Sequence, residues 1–479
     1  MEKKVFFLNP PSYKGFDGGA GSRYQAKREV RSFWYPTWLA QAAAVCPSSK
    51  LLDAPVENLG VEDTVRLIKG FDIVVIYTST PGYVNDARIA DQIKSHYPDV
   101  VIGMVGPHAS ALPEQTLRDC PSLDFAARGE FECAVRELAS GDDFANVKGI
   151  SYRSGQTIVH NESREPIQDM DSLPSVLDVY KRDLSIEKYF IGYLLHPYLS
   201  LYTGRGCAGR CTFCLWPQTI GGHVYRKRPA ASVIKELGRA KHMFPEVKEI
   251  FFDDDTFTAD LERAEEIARG LTPLNLTWSC SARATVPEKT LAIMKESGLR
   301  CVMVGLESGS DQILKNIKKG ITTDHGRSFM KRCRRLGIVT HATFVMGLPG
   351  ESRETIRQTI EYAKEIDPDT IQVSIATPYP GTEFYEQAVQ NNWFTVPDVV
   401  TNSGLQQVSI EYEDLSKEEI FEAVETLYNK FYFRTKPILR ILRTMALDKE
   451  MRKRRLREAF EFFQFMRSRK IEMRNGRAS

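Results

Sequence analysis

The stretch YLSLYTGRGCAGRCTFCLW, residues 198–216, runs from an apolar segment into a loop that holds three of the chain's nine cysteines. The segment from Tyr198 to Gly204 has the length and apolar content of a buried β-strand. Cys207, Cys211 and Cys214 follow within eight positions, in a Gly-containing loop that begins where this strand ends. Three thiolates placed in this way can converge on one metal ion or one metal cluster.

Five more segments of strand length follow, and helical patterns separate them. The predicted strands lie near residues 198–204, 249–254, 276–282, 301–307, 339–347 and 370–376. Repeated alternation of strand and helix favours a parallel sheet, and in barrels of this kind the chemistry lies at the carboxyl ends of the strands. We therefore predict an open, partial (β/α)6 barrel over residues 196–410, with the Cys loop after its first strand.

Residues 1–150 show a similar alternation of short apolar runs and helical stretches. The runs lie at residues 4–9, 50–54, 72–80, 100–106 and 123–129. They predict buried parallel strands, and the small or polar residues at most of their ends are typical of ligand-facing loops. We predict a Rossmann-like, doubly wound α/β domain. A linker over residues 151–195, which starts with a hairpin at 151–161, follows it.

The C-terminal extension, residues 411–479, is predicted to be helical and basic. Ser416 followed by Glu419 is a capping-box signal for the start of a helix. Residues 434–479 contain 15 Lys or Arg and 5 Asp or Glu, a net charge of +10, whereas the whole chain carries +2. Apolar residues alternate with these cations, which favours either contact with a membrane surface or packing on the barrel with a solvated cationic face. The extension has no recognisable nucleic-acid fold, so we expect no nucleic-acid partner.

The composition bounds the class of protein and the state of the thiols. A chain of 479 residues with 42% hydrophobic content is expected to form two or three globular domains. It has neither a secretory signal pattern nor an apolar run near the roughly 18 residues of a spanning helix, so we expect a cytoplasmic protein with reduced thiols. The cysteines then favour a metal centre: either zinc with His223 as fourth ligand, or an iron–sulfur cluster with one open iron.

The Cys loop resembles the radical S-adenosylmethionine (radical SAM) superfamily. The superfamily signature, Cys-x-x-x-Cys-x-aromatic-Cys, is matched by Cys207, Cys211, Phe213 and Cys214. The resemblance implies that the three cysteines hold a [4Fe–4S] cluster whose open iron binds SAM, and that a 5′-deoxyadenosyl radical then abstracts hydrogen from a substrate. The SAM contacts that it implies by position are Phe213, Asp254, Asp255, Arg283, Glu307 and Gly347.

A Rossmann-like domain before such a barrel resembles the B12-binding-domain radical SAM enzymes. The segments IYTSTPGY, GMVGPHAS and ARGEFE lie where that domain has its cofactor loops. The cobalamin contacts that this implies are Ser79, Thr80, Gly106, His108, Gly129 and Glu130. The Asp-x-His-x-x-Gly motif that supplies an axial ligand in related domains is absent, so we expect His108 to be a polar contact and not a cobalt ligand.

The loop after the first predicted strand, residues 9–41, contains Gly18, Gly19 and Gly21 but lacks the spacing of a phosphate-binding loop. It resembles the hopanoid-biosynthesis-associated radical SAM proteins. That implies contraction of a hopanoid-linked glucosamine ring to a cyclitol ether head group, with a hopanoid substrate and a flavodoxin or ferredoxin as electron donor. Two alternatives stay open: a cobalamin-dependent radical SAM C-methyltransferase on another lipid or secondary metabolite, and a non-catalytic zinc or iron–sulfur binding module.

Overall fold

The apolar runs of the N-terminal part form the first of two large sheets. A computed structural model describes residues 2–16, 32–447 and 449–475. The strands of this sheet are β1 Val5–Asn9, β2 Ser49–Asp53, β3 Ile73–Tyr77, β4 Val101–Val105, β5 Phe125–Ala127, β6 Ile150–Ser154 and β7 Thr157–His160. Their order is β2-β1-β3-β4-β5-β6-β7, with β1 to β5 parallel and β6 and β7 joined in antiparallel fashion.

Helices accompany this sheet, whose strands are apolar on both faces. Successive side chains of a strand point to opposite faces, and in β1 Phe7 joins one core cluster while Phe6 and Leu8 join the other. The helices are α1 Thr37–Val45, α2 Ala54–Glu57, α3 Val61–Leu67, α4 Tyr83–His96, α5 Pro107–Ala111, α6 Pro113–Asp119 and α7 Glu132–Ser140. β2 is added on one side of β1, and β3 to β5 are then added on its other side, so the strand order reverses at β1. Doubly wound sheets bind ligands at the carboxyl ends of the strands beside such a switch point.

The predicted doubly wound domain is confirmed, and the five predicted runs all form strands of its sheet. The predicted hairpin is also present, as β6 and β7, but it belongs to this sheet and not to the linker. Ile150 pairs with Ala127, and Tyr152 pairs with Phe125. The hairpin thus satisfies the backbone groups along the edge of β5. The sheet of the first domain therefore continues to His160, beyond the boundary predicted at residue 150.

The segment between the two sheets packs against both of them. It contains α8, Leu177–Asp183. The ring of Tyr35 contacts those of Tyr180 and Tyr189, with centroids 4.9 and 4.1 Å apart. The Tyr35 hydroxyl donates a hydrogen bond to the carbonyl oxygen of Tyr198 at 2.8 Å. These contacts join the loop after β1 to the residue that begins the second sheet.

The second sheet is the predicted partial barrel. The strands of this region are β8 Tyr198–Leu201, β9 Gly204–Arg205, β10 Arg226–Lys227, β11 Glu249–Phe252, β12 Trp278–Ser281, β13 Leu299–Glu307, β14 Val339–Met346 and β15 Thr370–Ile375. Six of them form a parallel sheet in the order β15-β14-β13-β12-β11-β8, so all six predicted barrel strands are confirmed. The helices are α9 Ala230–Met243, α10 Leu261–Leu271, α11 Glu288–Glu296, α12 Asp311–Asn316, α13 Thr323–Leu336, α14 Arg353–Ile366 and α15 Glu383–Gln390.

Three helices end the described chain: α16 Lys417–Tyr432, α17 Thr435–Leu447 and α18 Lys449–Asn475. The predicted capping box at the start of α16 is confirmed, because Ser416 and Glu419 each bond to the backbone N–H of the other. α16 packs against the barrel with Ile420 and Leu427 fully buried. Within the described part of the chain, no helix has both the length and the apolar character that crossing a bilayer requires.

Candidate cofactor site

A two-residue ladder closes the base of the Cys loop. β9 and β10 pair in antiparallel fashion with Arg205 opposite Arg226, so the loop leaves the barrel and returns to it at one point. Gly206 has a φ of +87°, and a Cβ atom there would lie 2.2 Å from the carbonyl oxygen of Val224. This close approach requires glycine. The ladder and Gly206 together hold the base of the Cys loop, which therefore lies just past the carboxyl end of β8.

One glutamine fixes the backbone around the second and third cysteines. The Gln218 side-chain nitrogen lies 3.3 Å from the carbonyl oxygen of Cys211 and 2.8 Å from that of Cys214. Its side-chain oxygen accepts a hydrogen bond from the backbone N–H of Glu383 at 2.9 Å. Gln218 therefore orients the backbone of two of the three cysteines and ties the loop to α15.

The three cysteines are free thiols, and two of them lie beside different loops of the barrel. Cys207 Sγ lies 3.6 Å from Thr256 Oγ1, after β11, whereas Cys211 Sγ lies 4.0 Å from the carbonyl oxygen of Lys318, in the loop between α12 and α13. Burial raises the pKa of Cys214 to about 12, and coordination to a metal is one interaction that stabilises a buried thiolate. Three separate thiols in one loop suit an iron–sulfur cluster, because each cysteine of a cluster binds its own iron.

Gly209 leaves open the space between two of these sulfur atoms. A Cβ atom at Gly209 would lie 3.3 Å from Cys207 Sγ and 3.9 Å from Cys211 Sγ, so a larger side chain would enter that space. The same atom would lie 3.7 Å from Arg283 Nη1. The residues present therefore fit a metal–sulfur cluster with a guanidinium group beside it.

His223, the candidate fourth ligand of a zinc site, has a partner within the loop. Its Nδ1 lies 3.0 Å from the carbonyl oxygen of Gly209. The described residues include no group of three or more His, Cys, Asp or Glu side chains that is arranged to hold a single metal ion. In this structure the His223 side chain therefore supports the fold of the Cys loop by contacting the backbone carbonyl of Gly209.

The two predicted carboxylates after β11 have different partners. Asp254 is 1% exposed and accepts hydrogen bonds from the backbone N–H of Thr203 at 2.6 Å and from the Tyr225 hydroxyl at 2.8 Å. Burial raises the pKa of Asp254. Asp255 accepts a hydrogen bond from the backbone N–H of Gly206 at 2.8 Å. Both carboxylates thus support the base of the Cys loop, and their contact with SAM stays a prediction.

Arg283 presents its guanidinium to the Cys loop from the end of β12. Its backbone N–H donates to Thr258 Oγ1 at 3.1 Å, which fixes the backbone there. Its side chain lies between Gly209 and Gly320 and forms no ion pair with any residue that the structure describes. A guanidinium with free donors suits the SAM carboxylate, since it can bind both carboxylate oxygens at once.

Replacing Arg283 with Lys is expected to weaken SAM binding about ten-fold to a hundred-fold. Lysine keeps the charge but loses the planar pair of donors, and one charge-assisted hydrogen bond contributes about 1.5–3 kcal/mol. Isothermal titration of cluster-loaded protein with SAM measures the effect. The control is Arg269→Lys, because Arg269 is 59% exposed and pairs with Glu265 on α10. Equal SAM affinity in the two variants would contradict this role for Arg283.

A lysine that sequence reasoning missed lies beside Glu307. Glu307 has a φ of +62° next to an irregularity in β13, and its Oε1 lies 2.6 Å from Lys319 Nζ. Burial by itself lowers the pKa of Lys319, but Glu307 and Cys211 raise the pKa above its ordinary value. Lys319 therefore carries a positive charge next to the Cys loop. It pairs with Glu307, which is one of the predicted SAM contacts.

Gly347, the predicted adenine-side glycine, packs against the C-terminal extension. It has a φ of +89°, and a Cβ atom there would lie 2.8 Å from the Ile420 side chain. Its carbonyl oxygen accepts a hydrogen bond from Tyr412 at 2.8 Å, and its N–H donates to the carboxyl group of Glu351. Burial raises the pKa of Glu351 to about 8. Gly347 thus allows α16 to approach the end of β14, and its contact with SAM stays a prediction.

In the first domain, His108 follows β4 and has one unsatisfied nitrogen. Its Nδ1 lies 3.2 Å from Thr80 Oγ1, and its ring stacks on Tyr83 with centroids 4.2 Å apart. Burial lowers the pKa of His108 to about 4, so the ring is neutral at pH 7. Its buried Nε2 has no hydrogen-bond partner in the described parts of the chain. An orphaned polar atom at a strand end fits a bound polar group such as a cobalamin side chain.

The other predicted cobalamin residues lie at neighbouring strand ends. Ser79 follows β3 and is fully buried. Gly106 has a φ of +107°, and a Cβ atom there would lie 2.4 Å from the carbonyl oxygen of Thr78. Gly129 donates its N–H to Ser110 Oγ at 3.0 Å, and a Cβ atom there would meet nothing within 4 Å. Open space beside Gly129 leaves room for a ligand, so these residues also fit the predicted cofactor.

Glu130 has another role in this structure: it holds the two domains together. Its carboxylate lies 2.8 Å from Arg226 and 3.4 Å from Arg205, both at the base of the Cys loop, and all three side chains are at most 5% exposed. Burial favours protonation, yet Arg226 and Arg205 hold the pKa of Glu130 below its ordinary value. Arg205 also pairs with Glu132 at 2.6 Å and lies over the ring of Trp38 at 3.9 Å. A cobalamin contact for Glu130 stays a prediction.

The loop after β4 also meets the end of the Cys loop directly. A Cβ atom at Gly381 would lie 2.9 Å from Ala111 on α5 and 2.9 Å from Thr219. The residues that follow Cys214 and those that follow Gly106 therefore share one contact region. An α/β domain of the cobalamin-binding type and a barrel with a three-cysteine loop thus direct their ligand-facing ends toward each other, which defines a two-cofactor radical SAM protein as the class.

Comparison with known proteins agrees with this class. The B12 binding domain model matches residues 26–139, and the radical SAM superfamily model matches residues 201–363. An uncharacterised methyltransferase of Pyrococcus horikoshii is 32% identical over 426 residues, which cover 86% of this chain and 91% of that protein. Cytidylyl-2-hydroxyethylphosphonate methyltransferase of Streptomyces wedmorensis is 27% identical over 457 residues, 82% of each protein. The radical SAM methyltransferase TsrM of Kitasatospora setae, solved with cobalamin and a [4Fe–4S] cluster, shares the fold, with a TM-score of 0.70 at 16% identity over 96% of this chain and 99% of that chain.

The chain belongs to the radical SAM family that carries a B12-binding domain. It is a radical SAM enzyme, and its cofactors are a [4Fe–4S] cluster, SAM and cobalamin. The predicted fold and the predicted set of cofactors are therefore confirmed. The contacts that each site residue makes with these cofactors remain predictions.

Sequence reasoning missed four residues that shape the site: Gln218, Lys319, Arg205 and Arg226. The two arginines flank the Cys loop in sequence. Predicting that they are buried would have required knowing that Glu130 pairs with both of them. Gln218 acts on backbone carbonyls, a role that leaves no spacing pattern. Lys319 lies in a run of two lysines, where a solvated position is the ordinary expectation.

Proposed function

We propose that this enzyme is a cobalamin-dependent radical SAM methyltransferase that places a methyl group from SAM on a carbon atom of a lipid or small metabolite. The observation that carries the proposal is the contact between the two cofactor regions, where Ala111 and Thr219 both approach Gly381. A methyl group can pass between two bound cofactors and one substrate only if all three share one space. Support comes from the two relatives above, which are both named as methyltransferases and align with this chain over 82% or more of their own length.

The chain's own residues bind and orient the groups that react. The cysteines hold the cluster, Arg283 binds the SAM carboxylate, and the loops after β3 and β4 hold cobalamin. The bound cofactors supply the bond cleavage and the methyl transfer. The ion pairs of Glu130 with Arg205 and Arg226 link the two cofactor regions. A one-electron donor of the flavodoxin or ferredoxin type is part of this proposal.

Transfer of an isotopic label from SAM to product tests the proposed reaction. The enzyme, loaded with cluster and cobalamin and reduced anaerobically, is incubated with SAM that carries a deuterated methyl group and with an extract of a gene-deletion strain of the native host. We expect a product heavier by one intact labelled methyl group, formed together with 5′-deoxyadenosine and detected by mass spectrometry. A product without label, formed with 5′-deoxyadenosine, would overturn the proposal.

The same experiment separates the rival hypotheses. Ring contraction of a hopanoid-linked amino sugar predicts 5′-deoxyadenosine and an unlabelled hopanoid product, and neither relative above bears a name that points to such a reaction. The loop that suggested a hopanoid covers residues 9–41, and its residues 17–31, with Gly18, Gly19 and Gly21, lie outside the described part of the chain. The third hypothesis, a non-catalytic binding module, does not agree with membership in a family of radical SAM enzymes.

A further inference from the structure

An apolar stripe on α18 is exposed to solvent. Leu456, Phe460 and Phe463 are 58%, 62% and 58% exposed. Their spacing of four and three residues puts them on one face of the helix. On the neighbouring helix α17, Leu439 and Leu442 are 59% and 53% exposed. Large apolar side chains gathered on one face mark an interaction surface more often than scattered exposed ones do.

The opposite face of α18 is held against the end of the linker and against α16, so the stripe has a defined direction. Arg454 donates hydrogen bonds to the carbonyl oxygens of Leu194 at 2.7 Å and Ile191 at 2.9 Å. The ring of Phe462 packs on that of Tyr428 in α16, with centroids 5.5 Å apart. α18 thus packs on the linker and on α16 with one side and leaves the stripe on the other; packing of α18 on the barrel itself, one of the two predicted outcomes, stays a prediction.

Charges are sorted between these two sides of the helix. Glu458 is 9% exposed and pairs with Arg454 at 2.9 Å and Arg455 at 2.6 Å, on the side that faces the protein. Arg452 and Lys453 are exposed and lie one turn before Leu456 on the stripe side. Arg467, also exposed, lies one turn after Phe463. The outward side therefore presents an apolar stripe with cations at both ends, which we name the outer stripe: Arg452, Lys453, Leu456, Phe460, Phe463 and Arg467.

We propose that the outer stripe binds the surface of an anionic phospholipid bilayer. Its apolar side chains can enter the boundary between head groups and acyl chains, while its cations meet the anionic head groups. A second copy of this chain fits poorly, because residues 434–479 carry a net charge of +10 and two such surfaces repel each other. Nucleic acid also fits poorly, because a phosphate backbone has no partner for three large apolar side chains. The proposal does not depend on methyl transfer.

Vesicle co-sedimentation with the full chain tests the proposal. We expect the protein to sediment with vesicles of equal parts phosphatidylcholine and phosphatidylglycerol, and about ten-fold less with phosphatidylcholine alone. The variant Leu456→Ser, Phe460→Ser, Phe463→Ser should lose binding, and Arg452→Gln with Lys453→Gln should weaken it about ten-fold or more. The matched control is Leu67→Ser with Val389→Ser, which removes apolar side chains that are 45% and 51% exposed elsewhere on the protein.

Three results would overturn the proposal: no sedimentation with anionic vesicles, equal sedimentation of wild type with both vesicle types, or unchanged binding by the triple Ser variant. Circular dichroism and cluster absorbance confirm that each variant is folded, so a lost interaction cannot be ascribed to unfolding. Light scattering without vesicles measures self-association. A dimer that the triple Ser variant abolishes, seen without vesicle binding, would instead assign the outer stripe to a second copy of the chain.

Discussion

Replacing Cys207, Cys211 or Cys214 with Ala is expected to abolish the iron–sulfur absorbance and lower 5′-deoxyadenosine formation by more than about a hundred-fold. Replacing a residue that hydrogen-bonds to a metal ligand already lowers metal affinity or activity about 10- to 100-fold, and loss of the ligand itself lowers it further. The effect should be similar at all three positions, because each cysteine of an iron–sulfur cluster binds its own iron. Anaerobic reconstitution followed by visible and electron paramagnetic resonance spectroscopy measures cluster content.

Cys133→Ala is the matched control for this series. Cys133 is a free, partly exposed cysteine on α7, in the other domain. Its replacement should leave cluster content and SAM cleavage unchanged. If one of the three loop variants kept full cluster content, that cysteine would not be a ligand. If all three kept it, the cluster assignment would fail together with the proposed reaction.

Glu130→Ala is expected to destabilise the protein by about 3–5 kcal/mol, the usual cost of removing one partner from a buried ion pair. The side chains of Arg205 and Arg226 are 1% and 5% exposed and would both lose their shared carboxylate. Because these arginines form the base of the Cys loop, cluster content should fall as well. The thermal unfolding midpoint and iron content per chain measure the two effects.

Glu62→Gln is the control for the Glu130 variant. Glu62 pairs with Arg66, but these side chains are 89% and 72% exposed, and exposed pairs contribute about 1 kcal/mol or less. Glu130→Gln adds a graded test, since it keeps the shape of the side chain and removes only the charge. If Glu130→Ala had the same thermal unfolding midpoint as the Glu62→Gln control, Glu130 would not compensate the buried charges of the two arginines.

Much of this architecture could be predicted because it depends on local patterns. A run such as Ile73–Tyr77 is apolar over the length of a strand, and such runs are buried in the sheet that they join. The capping box of Ser416 and Glu419 is local in the same way, because both of its bonds lie within one turn. The spacing of Cys207, Cys211 and Cys214 likewise depends only on one loop.

The predictions that needed the tertiary structure concern residues whose partners are distant in the chain. The sequence placed the hairpin at 151–161 but could not say which sheet it joins, because pairing with β5 depends on a free edge. It offered Glu130 and Gly347 as cofactor contacts by position. The structure adds partners that no pattern encodes: Arg226 for Glu130 and Ile420 for Gly347.

The sequence by itself determined the two domain types, the order of their strands along the chain and the loop that holds the cluster, because each depends on residues that are neighbours in the chain. Only the tertiary structure decided how the two cofactor regions meet, which charges are buried between them and which side of α18 faces solvent. These features arise from contacts such as Glu130 with Arg226 and Arg454 with Leu194, whose members become neighbours only when the chain folds.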